Sequence, residues 1–392
     1  MNILIFSQHF WPETFRINEV AKELSKKNNV YIVSSWPNYN IVNKKKLLCY
    51  GFEKYENIKI LRVPTFKRSN NNFFFIILNY LSFIIGGIFI TKKKFNNINF
   101  DAIISYATSP IYQAIPAIMY AKRYKIPIYL WVQDLWPDVL KDLNIVNNKL
   151  ILRILNRSVQ FLYTKCDCLL AQSPLIKDIL YKKFKNTFLV YNPSNINKFK
   201  KTRLSKNKIK KIIFAGNVGK AQALEKLINF GKIIKKEKLP LQFEIIGKGS
   251  NKKYLQKLIL QVNLEKIIVF KDFMPPKKLE KYLLNADGLL VSLGAGTALS
   301  VTIPAKFQTY VTYGKPIFSF SDNIVAQVIK RYNIGFVINN QNFKKTINKF
   351  LNMNFKANNK INNNCKYLFN NFFELKKNTS ILEKIIKTGL NK

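Results

Sequence analysis

Histidine is almost missing from this chain: His9 is the one example in 392 residues. Cysteine is scarce too, at Cys49, Cys166, Cys168 and Cys365, and no two are spaced C-x-x-C. One imidazole and four scattered thiols cannot make a zinc site, so the cysteines read as buried thiols of a reducing compartment. Acidic residues are few, 21 against 65 Lys and Arg, which leaves a net charge of +44. Arginine is rare among those cations, with eight of the 65. Arginine is the residue that reads bases through paired hydrogen bonds, and Lys, Asn and Ile share A/T-rich codons. The charge therefore argues against specific nucleic-acid recognition and leaves attraction to an anionic membrane surface open. A complete G-x-G-x-x-G is also absent. The start, MNILIF, has no basic opening and no small-residue cleavage site, so a cytoplasmic location is expected.

What is present is alternation. Hydrophobic residues make up 48%, ample for packed cores, and the length suggests two domains. Apolar, β-branched runs at 2–6, 30–34, 58–62, 101–105, 127–132, 168–172 and 187–190 predict strands. Segments of helical period at 16–27, 110–124, 149–164 and 174–184 lie between them. Such alternation predicts a parallel sheet covered on both faces. A polar, basic stretch interrupts it, and the rhythm then resumes. Strands are expected at 211–215, 242–246, 266–270, 288–292, 316–319 and 334–337. Helices are expected at 222–236, 251–262, 276–285, 303–313, 323–331 and 341–351. The expected division is an N-terminal domain over 1–195, a linker over 196–210 and a second domain over 211–365. Closing helices over 366–392 would pack back on the first domain.

Three short apolar runs stop at Trp-Pro: ILIFSQHFWPE, VYIVSSWPNYN and YLWVQDLWPDV. Ligands of doubly wound sheets bind at the carboxyl ends of the strands, where all three pairs fall. Proline ends ladder pairing there, and tryptophan offers a flat wall with one N–H donor. Polar residues accompany them: Gln8, His9, Glu13, Arg16, Asn38, Tyr39, Gln133, Asp134 and Asp138. A ligand-facing wall that includes Trp11, Trp36 and Trp136 is expected. Residues 73–90, FFFIILNYLSFIIGGIFI, are apolar on every side and flanked by Lys67, Arg68 and Lys92–Lys94. A membrane span would put strands of one sheet on opposite sides of a bilayer. The expectation is instead a helix that packs on the sheet and dips its other side into a membrane surface.

In the second half, IIFAGNVGKAQALEKLI reads as strand, tight loop and helix, with Gly216 and Gly219 allowing close approach of backbone to ligand. EIIGKGS repeats the pattern with Gly247 and Gly249. The acidic residue that would hold a dinucleotide ribose is poorly placed, Glu237 and Glu244 being the candidates, which disfavours an oxidoreductase. In LSVTIPAKFQTYVTYGKP, Thr302 can cap a helix with Pro304 and Lys306 in its first turn. A lysine there opposes the helix dipole and is more comfortable beside a bound anion.

Taken together, HFWPETFRINEVAKEL, SSWPNYN, LWVQDLWPDVL, FAGNVGKAQALEKLI and TIPAKFQTYVTYGKPI resemble glycosyltransferase family 4. They are most similar to the bacterial O-antigen and capsule branch that includes N-acetyl-L-fucosamine transferases. The resemblance implies a GT-B fold, two tandem doubly wound Rossmann-like domains with a cleft between them. It implies retaining transfer from a UDP-sugar, an N-acetylated amino sugar, to a lipid-diphosphate-linked saccharide at the cytoplasmic face of the inner membrane. Donor contacts would come from Gly216, Asn217, Gly219, Lys220, Gly247, Gly249, Phe273, Met274, Thr302, Pro304, Lys306 and Thr309. Asp134, Gln133 and Glu13 would be catalytic, and His9, Trp11, Arg16, Trp36, Asn38, Tyr39 and Trp136 would face the acceptor.

The sequence departs from the family pattern at charged positions. Arg and Lys of the second-domain loop read Asn217 and Gln222, the glutamates before GKP read Val301 and Thr309, and a histidine before DLWP reads Gln133. Lys306, Lys220 and backbone N–H groups would then stabilise the leaving diphosphate. Asp-x-Asp occurs nowhere, so neither a metal nor a cofactor is expected. The rival readings are a GT-B sugar-nucleotide epimerase and a non-catalytic basic protein of membranes or nucleic acid.

Overall fold

The computed structural model describes residues 1–38, 47–68, 73–200, 208–320 and 323–390. They form two units. The first comprises Met1–Leu140, Val146–Asn195 and Leu375–Lys392, and the second Lys141–Ile145 and Ile196–Glu374.

The first unit begins with β1 (Asn2–Phe6), α1 (Arg16–Leu24), β2 (Asn29–Ser35), β3 (Gly51–Tyr55), β4 (Ile58–Val63) and α2 (Phe73–Phe95). It continues through β5 (Ala102–Ala107), α3 (Ile115–Tyr124), β6 (Ile128–Val132), α4 (Asp138–Asp142, its last two residues counted with the second unit), α5 (Lys149–Thr164), β7 (Cys168–Ala171), α6 (Pro174–Tyr181) and β8 (Thr187–Leu189). The strands lie in the order β3-β4-β2-β1-β5-β6-β7-β8. β1 pairs in parallel with β2 on one side and β5 on the other. The order reverses at β1, so the loop beginning at Ser7 opens at the switch point where open sheets bind ligands.

The sheet is not wholly parallel, as the alternation had predicted. β3 pairs antiparallel with β4 through a turn at Glu56, whose φ is 52°. Its sequence Gly-Phe-Glu-Lys-Tyr is half exposed, and a charged edge strand of this kind carries little apolar signal. The polar strand ends are tied by side chains. The Asn2 backbone N–H and side-chain amide reach Asp101 and the Asn99 carbonyl. Cys49 is exposed and Cys166 half-buried, against the expectation of buried thiols; Cys49 lies in the loop ahead of the edge strand.

In the second unit the elements are β9 (Lys210–Ala215), α7 (Leu227–Lys236), β10 (Leu241–Ile246), α8 (Lys252–Gln261), β11 (Ile268–Lys271), α9 (Pro276–Leu284) and β12 (Gly288–Val291). After them come α10 (Thr297–Val301), α11 (Ala305–Thr312), β13 (Ile317–Phe320), α12 (Ile324–Tyr332), β14 (Gly335–Ile338), α13 (Phe343–Leu351) and α14 (Phe355–Leu368). The sheet is parallel throughout, in the order β11-β10-β9-β12-β13-β14, and its order reverses at β9.

Two expectations change here. The single helix over 303–313 is two helices, α10 and α11. Pro304 holds extended backbone at ψ 145° and begins α11, while Thr302 ends α10. The boundary placed at 365 falls inside α14, a helix of the second unit. Only α15 (Leu375–Leu390) joins the first unit. Its Leu375, Leu382 and Ile386 enter the core formed by Ile3, Ile5, Ile17, Val20 and Leu24.

Helix α2 connects β4 to β5, two strands of one sheet, so it does not carry the chain across a membrane. It is long and apolar enough to cross one, yet only 22% of its apolar window is buried. Phe74, Ile85 and Phe89 are 63%, 56% and 66% exposed.

Candidate functional site

The second unit holds a cradle at the carboxyl ends of β9 and β10. Gly216 follows β9 with φ +142°, and Gly247 and Gly249 follow β10 with φ +158° and +159°. The two loops pack backbone on backbone. Gly216 N–H donates to Ile246 O at 2.9 Å, and Val218 N–H to Lys248 O at 2.8 Å. A Cβ on Gly247 would lie 1.9 Å from Gly216 O, and one on Gly249 2.2 Å from Val218 O. Gly247 and Gly249 therefore hold the two loops in close backbone contact and shape the cradle. Gly216, Asn217 and Lys220 are exposed at its lip. Gln222 closes the loop by accepting from Gly219 N–H at 3.0 Å.

Helix α11 brings Lys306 to this loop. Ala215 N–H donates to the Tyr310 hydroxyl at 2.8 Å, and that hydroxyl lies 3.2 Å from Ala215 O. One turn earlier, Lys306 reaches Gly216: a Cβ on that glycine would meet Nζ at 3.1 Å. The amine lies 3.5 Å from the centre of the Phe214 ring. It is buried and has no hydrogen-bond partner. Desolvation lowers it from 10.5 to about 7. Thr302 and Thr309 spend their hydroxyls on Ala298 O at 2.8 Å and Ala305 O at 3.3 Å. Phe273 is 61% exposed beside half-buried Met274, and Lys248 Nζ lies 4.9 Å from its ring. Glu244 is buried against Lys211 at 3.1 Å and Tyr282, and Glu237 pairs with Lys344 at 2.8 Å. Both carboxylates are thus engaged by other side chains of the unit.

In the first unit the loops after β1, β2 and β6 carry the Trp-Pro pairs. Trp11–Pro12 and Trp136–Pro137 are cis. Glu13 is a junction. Its Oε2 lies 3.0 Å from His9 Nδ1, and its Oε1 accepts from Asn38 N–H at 2.6 Å. His9 stacks on Phe15, Trp11 on Tyr55, each with ring centres 5.0 Å apart. Trp136 Nε1–H donates to Ser109 Oγ at 2.8 Å. Trp36 is buried, and its Nε1–H donates to Cys49 O at 2.8 Å. Tyr39 lies outside the described residues.

Gln133 and Asp134 follow β6. Gln133 Oε1 accepts from Asn192 Nδ2 at 2.6 Å, while its Nε2 is buried with no hydrogen-bond partner. Burial raises the Asp134 carboxyl above its ordinary range, and hydrogen bonds from Ser109 oppose the shift. Arg16 opens α1 in a desolvated position that lowers it to about 10, with Tyr106 and Glu19 acting the other way. Among the described residues no group of three or more His, Cys, Asp or Glu could hold a metal ion.

Residues 195–367 match the family model described as glycosyl transferases group 1. The sucrose-phosphate synthase of Thermosynechococcus elongatus superposes with a TM-score of 0.73 at 10% identity, covering 99% of this chain and 98% of that one. Anabaena HepE, solved with UDP and glucose, gives 0.68 at 11% identity over 98% and 99%. The lipopolysaccharide outer core galactosyltransferase WaaB gives 0.63 at 14% identity over 99% and 100%. No curated protein matches the sequence. The fold is GT-B.

Three residues of this GT-B chain were missed in the sequence. Arg62, fully buried, binds Glu53 at 2.8 Å, Ser35 O at 2.9 Å and Trp11 O, tying two Trp-Pro loops together. Asn79 is the buried polar residue that anchors apolar α2, receiving Gln8 Nε2 at 2.9 Å and donating to Phe66 O at 2.6 Å. Asp142 caps α10 by accepting from Thr297, Ala298 and Leu299 N–H groups at 3.1, 2.8 and 2.9 Å. A polar residue inside an apolar run was the one available signal, and it pointed to Asn79.

Proposed function

We propose that the protein is a glycosyltransferase that takes a sugar from a UDP-linked donor and passes it to a lipid-linked saccharide. The observation that carries this reading is Lys306: a buried amine without a partner, set against Gly216 in a glycine-built cradle at the switch point of the second sheet. A buried polar group without a partner is costly, and an anion in the cradle would satisfy it. The group 1 match over the same unit supports a nucleotide-sugar diphosphate as that anion. Phe273, exposed next to the cradle strands, suits a base.

The reaction follows from charge. As the sugar–phosphate bond breaks, negative charge collects on the diphosphate, and Lys306 with the loop N–H groups stabilises it. Asp134 and the free Gln133 amide are suited to contact the transferred sugar. Glu13, with both oxygens engaged, positions His9 and the Asn38 backbone rather than taking a proton itself. Retention of configuration, an N-acetylated amino sugar and a role in O-antigen or capsule assembly are the finer parts of the proposal, and they rest on motif resemblance.

The lipid acceptor is supported by α2. Its Asn79 is bonded to Gln8 at the mouth of the first sheet, while its exposed apolar face and Lys92, Lys93 and Lys94 suit an anionic bilayer. The chain would then work peripherally at the cytoplasmic membrane face. Thermal-shift titration with UDP, GDP, ADP and NAD, without added metal, tests the donor reading. Selective stabilisation by UDP is expected, since a ligand of the folded state raises its stability. A folded protein that responds to no nucleotide overturns it.

A further inference from the structure

We propose that Lys306 stands as a neutral amine in the free protein and takes up a proton when the donor diphosphate binds, so that the substrate creates the cation that stabilises its own leaving group. This inference rests on the donor reading above.

The geometry carries it. Nζ is enclosed by α11, the Phe214 ring and the Gly216 turn, and no hydrogen-bond acceptor reaches it. The titratable groups on the surrounding elements are few. Tyr310, on the same helix, is fixed to Ala215. Lys220 and Lys248, on the two glycine loops, are exposed to solvent. No charged group among the described residues acts on the amine; the face of the Phe214 ring favours the ammonium, while burial disfavours it and lowers it from 10.5 to about 7. It also stands in the first turn of α11, where the helix dipole repels a cation.

A diphosphate in the cradle reverses each of these effects. Its oxygens accept from the ammonium, and its charge offsets the dipole. The Nζ lone pair takes a proton from solvent, and the ammonium forms. When the sugar–oxygen bond later breaks, its electron pair stays on the diphosphate oxygen, already facing that ammonium. A permanently charged arginine would lack this coupling, because it does not deprotonate at working pH.

The test is calorimetric titration of the full chain with UDP near pH 8, in buffers of different ionisation enthalpy. UDP is fully ionised there, since a terminal phosphate titrates near about 6. Uptake of close to one proton per UDP is expected. Lys306→Met should bind UDP roughly ten- to hundred-fold more weakly and take up none. The variant removes a desolvated amine, so it should melt no lower than the parent, and the parent titration stands whether or not the variant folds. UDP binding without proton uptake overturns the inference and leaves the donor reading intact. Uptake that persists in Lys306→Met places the proton elsewhere and also overturns it. Failure of UDP to bind removes both.

Discussion

The Tyr310 hydroxyl bonds both backbone groups of Ala215, the last residue of β9, and so fixes α11 to the strand that leads into Gly216. Tyr310 is fully desolvated, which raises its phenol well above the ordinary 10.0, so it stays a neutral donor and acceptor at any working pH. Tyr310→Phe keeps the ring and leaves the Ala215 N–H unsatisfied. The expected cost is about 1–3 kcal/mol of unfolding free energy, read by urea denaturation, with weaker UDP binding because Lys306 loses its register. Unchanged stability and affinity would show that packing alone holds the helix.

Gly247 and Gly294 make a controlled pair. A Cβ on Gly247 would lie 1.9 Å from Gly216 O with φ at +158°, whereas the nearest atom to one on Gly294 is 3.5 Å away. Gly247→Ala should push the two loops apart and abolish UDP binding, with a clear drop in melting temperature. Gly294→Ala should leave both nearly unchanged. Equal tolerance of the two would mean the cradle is not built by close backbone approach.

Asp134 trades stability for placement. Burial favours its uncharged acid, so ionisation opposes folding. That penalty is absent below the ordinary value of 3.8 and grows to its full size as pH rises through the raised folded value. Asp134→Asn should therefore raise the melting temperature at pH 7, lose this advantage in acid, and lower turnover with a UDP-sugar. Full turnover in the variant would remove Asp134 from the reaction.

Apart from the edge strand β3, the strands and their order of appearance were legible because parallel strands buried on both faces read as plain apolar runs, as in Ile3–Phe6 and Ile212–Ala215. The loops were legible only where a residue has one conformational reason to be there. Gly216 marked its turn, yet nothing local shows that Gly247 and Gly249 are also required by the carbonyls of the neighbouring loop. Lys306 was legible as a cation misplaced at a helix start; its missing partner was not, because burial of Nζ depends on Phe214 of β9, far away in sequence. Arg62 and Asp142 were invisible for the same reason. Their partners are backbone atoms of other segments, Trp11 O and the first N–H groups of α10, which no local pattern encodes.

The exposed face of α2 gives the last prediction. Ile85 and Phe89 are 56% and 66% exposed on a helix whose apolar window is only 22% buried, so replacing them removes little folded-state contact. Ile85→Ser with Phe89→Ser should leave the melting temperature within a degree or two, about 0.5 kcal/mol or less. Each side chain entering the interface contributes about 1.5–3 kcal/mol, so the pair should weaken binding to vesicles containing anionic lipid by roughly a hundred-fold or more. Lys92, Lys93 and Lys94 lie at the end of the same helix, so neutral vesicles or high salt should weaken the parent protein as well. The measurement is co-sedimentation with vesicles of mixed phosphatidylglycerol and phosphatidylcholine. Equal sedimentation of parent and variant would mean that the apolar face of α2 does not meet the bilayer, and the case for a lipid-borne acceptor would then lose its structural support.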